Sequence, residues 1–564
     1  MTETDHLTSE KTAPNIAARI AWAALIVVTL AVCYFSNLGA IGFVGPDEPR
    51  YAWIARDMAE TGDWVTPRLY GKPWFEKPVL YYWMAAASFK LFGVSEAAAR
   101  LPSALCALFA TLALAWLAWR VYGEETARWL LVLLPTSAGM IGFSHAAATD
   151  MPFSGMLTIA MVCAEVVLGL TRGENTPILP RTPWLALLLF GFFLGLAVLA
   201  KGPAAIILSG GAVFVWALIA KKWRGAFRLL HPVAIATFCA TALPWYILCA
   251  RRNPDFFRVF IIEHNFKRYL TPEFQHIQPF WYYVPVVLIA FLPWSAALLW
   301  AAFAQGRTFL ALRKISEVSL FFFCWAAFCL VFFSASRSKL PGYVLPAFPA
   351  VAALLSVTLS NARGRKSLGY VLASCALLLF LLLLPLRLAL HETSKAWPIV
   401  FYCYAAILFA LATANAAFAL SELLPANSGL RIALRGTSIL VVLLPVLFAG
   451  RLARGLIVWD FSGRTLANEL ILRNIPADTL SVRSMNRGQL FSLNFYLRRE
   501  IPLVQQGDLR EGKMLIRSSV CERLGGNQWE TRELPFDTQK TGWFLCEVRR
   551  RASAPGASGS GQPR

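Results

Sequence analysis

Residues 17–51 read AARIAWAALIVVTLAVCYFSNLGAIGFVGPDEPRY. The apolar run Ala17–Leu38 is long enough to cross a bilayer, too long for a signal-peptide core, and not followed by a small-residue cleavage site. We therefore expect a retained first membrane span. Just beyond it stand two adjacent carboxylates, Asp47 and Glu48. Ionisable groups are costly beside lipid, so this pair indicates a functional site at the membrane surface.

The composition indicates a membrane protein. Of the 564 residues, 57% are hydrophobic and 15% are charged, whereas soluble proteins carry about 25% charged residues. Apolar runs recur as far as about residue 450, which predicts an α-helical polytopic membrane protein with about thirteen transmembrane helices. The expected spans are 17–38, 98–120, 126–143, 151–170, 183–200, 203–220, 229–250, 280–301, 318–335, 343–360, 367–388, 397–418 and 434–452.

The distribution of Lys and Arg sets the expected orientation. With the N-terminus in the cytoplasm, every loop placed on that side contains Lys or Arg, and 221–228 and 361–366 are rich in them. The apolar stretch Val79–Gly93 is too short to span and is expected to be an interfacial or re-entrant helix. Counting it as a span would move 221–228 outside, so the charge pattern excludes that count.

Five polar segments from distant parts of the chain then share the outer face. They are 41–97, 144–150, 201–203, 251–278 and 334–343, and each contains a charged or imidazole side chain. This convergence indicates an active site at the membrane surface. A transporter would place its charges near mid-membrane, and a non-catalytic assembly protein would not need so many acids and bases. Part of the net charge of +21 lies in these segments, which favours an anionic substrate or head group over nucleic acid.

The composition changes after residue 455, where charges become frequent and apolar runs shorten. We expect a membrane domain over 1–454, with 41–97 as its first outer loop. A small external α+β domain follows over 455–551, and 552–564 form a tail that is disordered by composition. Cys521 and Cys546 lie in the external domain, and a disulfide between them is expected if that compartment is oxidising.

The acids at the start of the first outer loop precede Pro49, which suits the first turn of a helix. The apolar side chains of this amphipathic helix share one face: Tyr51, Ile54, Ala55, Met58 and Ala59. A capping role for Asp47 or Glu48 would need no basic neighbours. Because Arg50 and Lys77 share the outer face with them, we expect Asp47 to be catalytic or to orient the substrate, and consider the same role for Glu48.

Several cations lie where a lipid-linked phosphate would reach them. Lys77 begins the interfacial helix, and Lys201 ends a span before a Gly-Pro break. The tight turn 336–343 adds Arg337, Lys339 and Tyr343. Singly, a Lys at these depths also fits snorkelling to the interface. Together, cations and a phenol beside the lipid predict a phosphate cradle.

His264 is the imidazole of the segment 251–278. Together with Glu76 or Asp150 it would offer ligands for a divalent cation, but the spacing matches no recognised metal motif. A hydrogen-bonding His264 is the simpler interpretation, and no cofactor is expected to be required.

The motifs described so far resemble those of the GT-C-type integral membrane glycosyltransferases. Within that class they are similar to the lipid A aminoarabinose transferases, relatives of the protein O-mannosyltransferases. The resemblance covers about the first 450 residues, and an external C-terminal domain fits it too. It rests on Gly45–Tyr51, Gly71–Trp83, Arg100-Leu101-Pro102-Ser103, Asp150, Lys201-Gly202-Pro203 and Ser336–Tyr343.

The resemblance implies roles for residues of this chain. Asp47, Glu48 and Asp150 are the catalytic candidates, and Arg50 joins Lys77, Lys201, Arg337, Lys339 and Tyr343 around the donor phosphate. The remaining candidates contact the sugar or acceptor: Glu76, Tyr81, Tyr82, His264 and Arg268.

The resemblance also implies a reaction. The donor would be undecaprenyl phosphate carrying 4-amino-4-deoxy-L-arabinose, and the acceptor a lipid A phosphate on the periplasmic face of the bacterial inner membrane. Because a phosphate oxygen is already ionised near neutral pH, Asp47 is expected to position a substrate rather than act as an obligatory base. We expect a monomer that conveys polymyxin resistance. A GT-C enzyme that carries mannose or galacturonic acid to protein or core saccharide stays open as the alternative.

Overall fold

The computed structural model describes residues 16–170, 183–267, 277–310, 315–361, 462–504, 510–517, 529–536 and 541–551, with isolated residues between 413 and 437. The expected spans 367–388 and 397–418, and most of 434–452, lie outside these residues. The disordered tail predicted over 552–564 lies outside them as well.

Most of the membrane part consists of helices that follow the apolar runs. In chain order they are α1 Ile16–Phe35, α2 Asp47–Thr61, α3 Leu80–Phe92, α4 Glu96–Tyr122, α5 Glu124–Thr136, α6 Ala138–Ser144, α7 Asp150–Leu168, α8 Trp184–Lys201, α9 Ala204–Ala220, α10 Trp223–Phe227, α11 Pro232–Arg252, α12 Tyr283–Ala290, α13 Ser295–Leu310, α14 Glu317–Ala335 and α15 Phe348–Asn361. Short 3₁₀ turns at Arg228–Leu230, Phe280–Tyr282 and Pro341–Ala347, and a π-helix at Arg258–Lys267, join them.

Six of the described helical segments are long and apolar enough to cross a bilayer, and the bent pair α5–α6 makes a seventh candidate. The two helices of that pair meet at 62°. The span expected over 280–301 is not one continuous helix, because the chain breaks between α12 and α13 at Pro293. The two breaks are adjacent, since the N–H of Ala138 donates to the carbonyl of Leu292 at 2.9 Å.

The first loop contains the predicted helices and a two-stranded hairpin, β1 Arg68–Leu69 and β2 Lys72–Pro73. Helix α2 buries the predicted apolar face, including Tyr51 and Met58. Its opposite face is not left to solvent as the amphipathic pattern predicts. Arg56 is buried as well, because its guanidinium donates to the carbonyl of Phe495 at 2.9 Å.

Beyond residue 462 the chain forms two helices, α16 Arg464–Leu472 and α17 Arg487–Leu497, and a five-stranded sheet. The strands are β3 Leu480–Arg483, β4 Leu503–Val504, β5 Gly512–Ile516, β6 Trp529–Leu534 and β7 Phe544–Arg550, in the order β4-β3-β5-β7-β6. Strand β3 is parallel to both of its neighbours, and the other pairs are antiparallel.

The cysteine chemistry of this sheet is partly described. Cys546 in β7 takes part in a disulfide bond, whereas the seven described cysteines of the membrane part are free thiols. Cys521 lies outside the described residues, so its pairing with Cys546 stays a prediction.

Helix α17 packs directly on the loop that precedes α2. The hydroxyl of Tyr496 accepts a hydrogen bond from the N–H of Phe43 at 3.1 Å, and Ser492 Oγ donates to the Phe43 carbonyl at 3.2 Å. At Gly488 the approach is closest, because a Cβ there would lie 2.8 Å from the carbonyl carbon of Gly45. Only a residue without a side chain permits this backbone contact.

We expect Gly488→Ala to lower the unfolding midpoint of the purified protein, because the added methyl group forces α17 away from Gly45. Gly210→Ala is the matched control, since Gly210 is also helical and a Cβ there meets nothing within 4 Å. Thermal unfolding in detergent measures both variants. Equal midpoints would contradict the tight contact.

Candidate active site at the ends of the helices

A buried ion pair between Glu48 and Arg100 holds the first loop to α4. The two side chains are 11% and 3% exposed. Arg100 uses all five of its N–H groups: Nε and one Nη donate to the Glu48 carboxylate at 2.9 and 2.8 Å, and the other bonds reach carbonyls of residues 38, 41 and 42. The guanidinium thereby fixes the backbone that leads into the acidic motif.

Glu48 also joins the first loop to the start of α7. Its two oxygens accept further hydrogen bonds at 2.8 Å from the N–H groups of Val44 and Ala147. Ala147 lies three residues before Asp150, so Glu48 links the segment of Asp47 to the segment of Asp150. With four hydrogen bonds from the protein, the Glu48 carboxylate is occupied in positioning these segments.

Asp47 has the opposite environment, because its side chain is 49% exposed. It pairs with Arg50, which is 5% exposed and also donates to Glu76 at 2.8 Å and to the Pro46 carbonyl at 2.8 Å. Burial acts to lower the pKa of the Arg50 guanidinium, but the adjoining Glu76 and Asp47 carboxylates outweigh it and raise the pKa above its ordinary value. Arg50 is therefore a permanent cation between two acids.

Aromatic rings surround this cation. The Arg50 guanidinium carbon lies 5.8 Å from the ring centroid of Tyr51, 5.6 Å from Trp74 and 5.5 Å from Phe491 of α17. Tyr82 is fully buried beside the Tyr51 ring, and its hydroxyl has no hydrogen-bond partner in the described part of the chain. Burial and the charge of Glu76 raise the pKa of Tyr82, so the phenol stays neutral.

A second acid–base pair lies where α7, α8 and the turn after α14 meet. Lys201 Nζ donates to Asp150 Oδ1 at 2.6 Å and lies 5.1 Å from the ring centroid of Tyr343. A Cβ on Gly342 would come within 2.6 Å of the same Asp150 oxygen. The glycine thus allows the predicted turn to pack against the acid, and the structure brings Asp150, Lys201 and Tyr343 together.

Other predicted cradle residues have different environments. Lys339 is buried, and its ammonium donates to the carbonyls of Ser336 and Gln278 at 2.5 and 3.0 Å. Burial lowers the pKa of this ammonium. Lys339 therefore holds the turn together, whereas Arg337 is exposed. Lys77 is half-buried beside Glu76. Donor-phosphate contacts by all three stay predictions.

Of the residues predicted to contact the sugar or the acceptor, some are described by the structure and others are not. Tyr81 is fully buried in the core, where its hydroxyl donates to the Ala99 carbonyl at 2.9 Å. Its contact with a substrate stays a prediction, and in this conformation the hydroxyl is occupied. The His264 side chain and Arg268 fall outside the described residues. Among the described residues no three His, Cys, Asp or Glu side chains converge on a metal position, so a cation at Glu76 and His264 stays an untested alternative.

A cavity of about 530 Å³ opens beside Glu76, between the end of β2 and the start of the π-helix. This volume lies within the range of ligand sites, which is roughly 300–1,000 Å³. Its charged and polar lining combines two carboxylates, two guanidiniums, an amide and an indole: Glu76, Asp255, Arg252, Arg258, Asn253 and Trp74.

Sequence reasoning gave no role to Arg252, Arg258, Arg100 or Phe491, although Arg100 lies in one of the motifs that carry the resemblance. Arg100 carries a recognisable signal, because it is a lone cation at the start of a long apolar helix, and such residues need a partner. Phe491 carries none, since only the docking of α17 places it against the first loop.

Comparison with known proteins agrees with this architecture. A family model described as dolichyl-phosphate-mannose-protein mannosyltransferase matches residues 20–260. The apo crystal structure of ArnT from Cupriavidus metallidurans superposes with a TM-score of 0.73 at 25% identity, covering 94% of this chain and 98% of that one. The undecaprenyl-phosphate-bound structure gives 0.77 at 23% identity, covering 93% and 98%.

Curated relatives agree with the structural match. An undecaprenyl phosphate-α-4-amino-4-deoxy-L-arabinose arabinosyl transferase from Enterobacter sp. (strain 638) is 30% identical over 373 residues, or 64% of this chain and 65% of that protein. Its counterpart from Aeromonas salmonicida (strain A449) is 33% identical over 313 residues, or 56% and 55%. In each case the matched stretch spans less than two thirds of the relative.

The described helices have an ArnT-like fold of the GT-C type, as in an α-helical multi-pass membrane protein. The chain is similar to the aminoarabinose transferase ArnT and, over residues 20–260, to the dolichyl-phosphate-mannose-protein mannosyltransferase family.

We expect Arg100→Lys to destabilise the protein, because an ammonium has three donors and lacks the planar fork that fills five acceptors here. Each carbonyl or carboxylate oxygen left unpaired costs ~1–3 kcal/mol. Thermal unfolding in detergent, with the exposed Arg120→Lys at the far end of α4 as control, measures the effect. Matching midpoints would refute the positioning role of Arg100.

Proposed function

We propose that this protein transfers 4-amino-4-deoxy-L-arabinose from undecaprenyl phosphate to a phosphate group of lipid A. The observation that carries the proposal is the pairing of an exposed acid with fixed cations at one end of the bundle. Asp47 pairs with Arg50, which also pairs with Glu76, and Glu48 ties that group to the segment of Asp150, Lys201 and Tyr343. The relatives named above add the identity of donor and sugar.

The chemistry is a single displacement at the anomeric carbon. The bond from that carbon to the undecaprenyl phosphate oxygen breaks, and its electron pair stays on the phosphate. An oxygen of the lipid A phosphate forms the new bond from the opposite side, which inverts the configuration. The acceptor carries its own negative charge because the second pKa of a phosphate monoester is about 6, so no general base is required.

The residues of the site meet the needs of this displacement. Negative charge grows on the leaving phosphate, and fixed positive groups such as Lys201, Lys77 and Arg50 stabilise it as it develops. Tyr343 faces Lys201 and adds a hydroxyl to that side. The cavity beside Glu76 suits the amino sugar, because its acids pair with an ammonium and its indole packs against a sugar ring. Asp47, being exposed, orients the sugar amine directly, or the incoming acceptor through the arginine with which it pairs.

The proposal places the chain in the bacterial inner membrane as a monomer, with its N-terminus in the cytoplasm. The site and the domain over 455–551 then lie in the periplasm, and about thirteen helices cross the bilayer. The positive-inside distribution of Lys and Arg supports this orientation.

Asp47→Asn should lower the transfer rate by ~10²–10³-fold, because it removes a charge that positions a reactant. Mass spectrometry of lipid A from cells that carry the variant measures it, through loss of the aminoarabinose increment and of polymyxin resistance. Glu60→Gln, an exposed acid on the same helix, is the control. Full modification by the Asp47 variant would remove the acid from the mechanism.

The same spectra test the substrate. If lipid A from wild-type cells stays unmodified while glycoproteins or core saccharides change, the alternative of another sugar, such as mannose or galacturonic acid, is favoured. The match to the mannosyltransferase family model is the reason to test this alternative.

Lys77→Ala should weaken binding of undecaprenyl phosphate by about tenfold or more, equivalent to at least ~1.4 kcal/mol, because it removes a cation from the donor side. Titration of the purified protein with the lipid measures this. Lys72→Ala, an exposed lysine on β2 of the same loop, should bind normally. Equal affinity of the two variants would exclude Lys77 from the donor site.

A further inference from the structure

Helix α17 brings a second arginine to the acidic loop. Asn486 caps the helix by accepting the N–H of Gln489 at 2.8 Å, so Arg487 lies in the first turn and is exposed. The next residue, Gly488, touches the backbone of Gly45. Arg487 therefore enters the neighbourhood of Asp47 from the C-terminal part of the chain.

The ring of Phe491 fixes the direction of that arginine. The Arg487 guanidinium carbon lies 5.3 Å from the ring centroid, and the Arg50 guanidinium carbon lies 5.5 Å from the same centroid. One aromatic ring thus contacts two cations. Arg50 is the buried member and is engaged with Asp47 and Glu76, whereas Arg487 is the solvent-accessible member.

The position of Arg487 reduces the electrostatic repulsion between an incoming phosphate and the acidic loop. A phosphate that approaches the sugar from the Asp47 side meets the carboxylates of Asp47 and Glu76, which repel it. Arg50 lies between those carboxylates and is 5% exposed. An exposed guanidinium at the rim offsets the repulsion, and its planar fork matches two phosphate oxygens.

We propose that Arg487 belongs to the binding subsite for the acceptor phosphate, and that Phe491 positions it. The ligand class is a phosphate monoester on a lipid. This inference rests on the proposed function for the identity of the acceptor, but it assigns a residue of the C-terminal part of the chain to the site. Arg487 contacts the acceptor, whereas Phe491 acts through the two arginines.

The test compares Arg487→Ala with Arg549→Ala, an arginine on the outer sheet that is 72% exposed. In the full-length protein, Arg487→Ala should raise the KM for lipid A at least tenfold, leave kcat within about twofold, and leave undecaprenyl phosphate affinity unchanged. Arg487→Lys should recover part of the loss. A KM equal to that of Arg549→Ala would overturn the assignment.

Direct binding separates this inference from the proposed function. Lipid A and dephosphorylated lipid A are titrated into the wild type and the Arg487→Ala variant, with inorganic phosphate as competitor. Selective loss of lipid A affinity in the variant supports the subsite even if no sugar transfer is measured. Absence of transfer would count against the proposed function alone. If inorganic phosphate competes with lipid A, the subsite recognises the phosphate group alone. If it does not compete, the subsite recognises the phosphate only together with its lipid. Equal lipid A affinity of wild type and variant refutes the subsite.

The role of Phe491 has its own readout. Phe491→Leu should raise the KM for lipid A as Arg487→Ala does, and Phe491→Tyr should restore it, because the aromatic face returns. Failure of Phe491→Tyr to restore the KM while the unfolding midpoint stays unchanged would show that the ring does not position Arg487.

Discussion

Arg100 places a fixed positive charge at the buried end of a long apolar helix, and the Glu48 carboxylate is the group that makes this charge tolerable. An isolated charge in that position would cost several kcal/mol, roughly the whole margin of stability of a domain. Here every N–H of the guanidinium has an acceptor, and both carboxylate oxygens accept two hydrogen bonds. Because these bonds reach residues 38–44 and Ala147, a single ion pair sets the relative position of both acidic segments.

Two neighbouring acids consequently have different tasks. The Glu48 side chain is buried and its carboxylate oxygens accept hydrogen bonds from the protein, whereas Asp47 stays accessible beside the guanidinium of Arg50. Their chemistry is nearly the same, and only the environment separates a structural acid from one that is available to a substrate. The second pair, Asp150 and Lys201, stands between these extremes, with side chains 21% and 12% exposed. The Asp150–Lys201 pair is held near Asp47 and Arg50 because Glu48 accepts a hydrogen bond from the backbone of Ala147.

The sequence was sufficient for features that depend on local pattern. Hydropathy predicts the apolar helices and the short helix α3, and the structure contains them. The roles of the acidic motif and of the turn 336–343 stay predictions. The sequence was insufficient where partners are far apart. Nothing local indicates that Glu48 pairs with Arg100, that Lys339 donates to the Ser336 and Gln278 carbonyls, or that Phe491 reaches Arg50. Pro293 lies at the break after α12, inside an apolar run long enough to predict a span over 280–301.

The contact between Tyr496 and Phe43 also has a temporal meaning, because 453 residues separate the two. Ribosomes add ~5–20 residues per second, so the first loop emerges tens of seconds before α17 exists. During that interval the nascent chain has its acidic motif but lacks Phe491 and Arg487 beside it. The centre is thus completed only after the membrane helices have been synthesised, and a chain terminated before residue 487 lacks both Arg487 and Phe491.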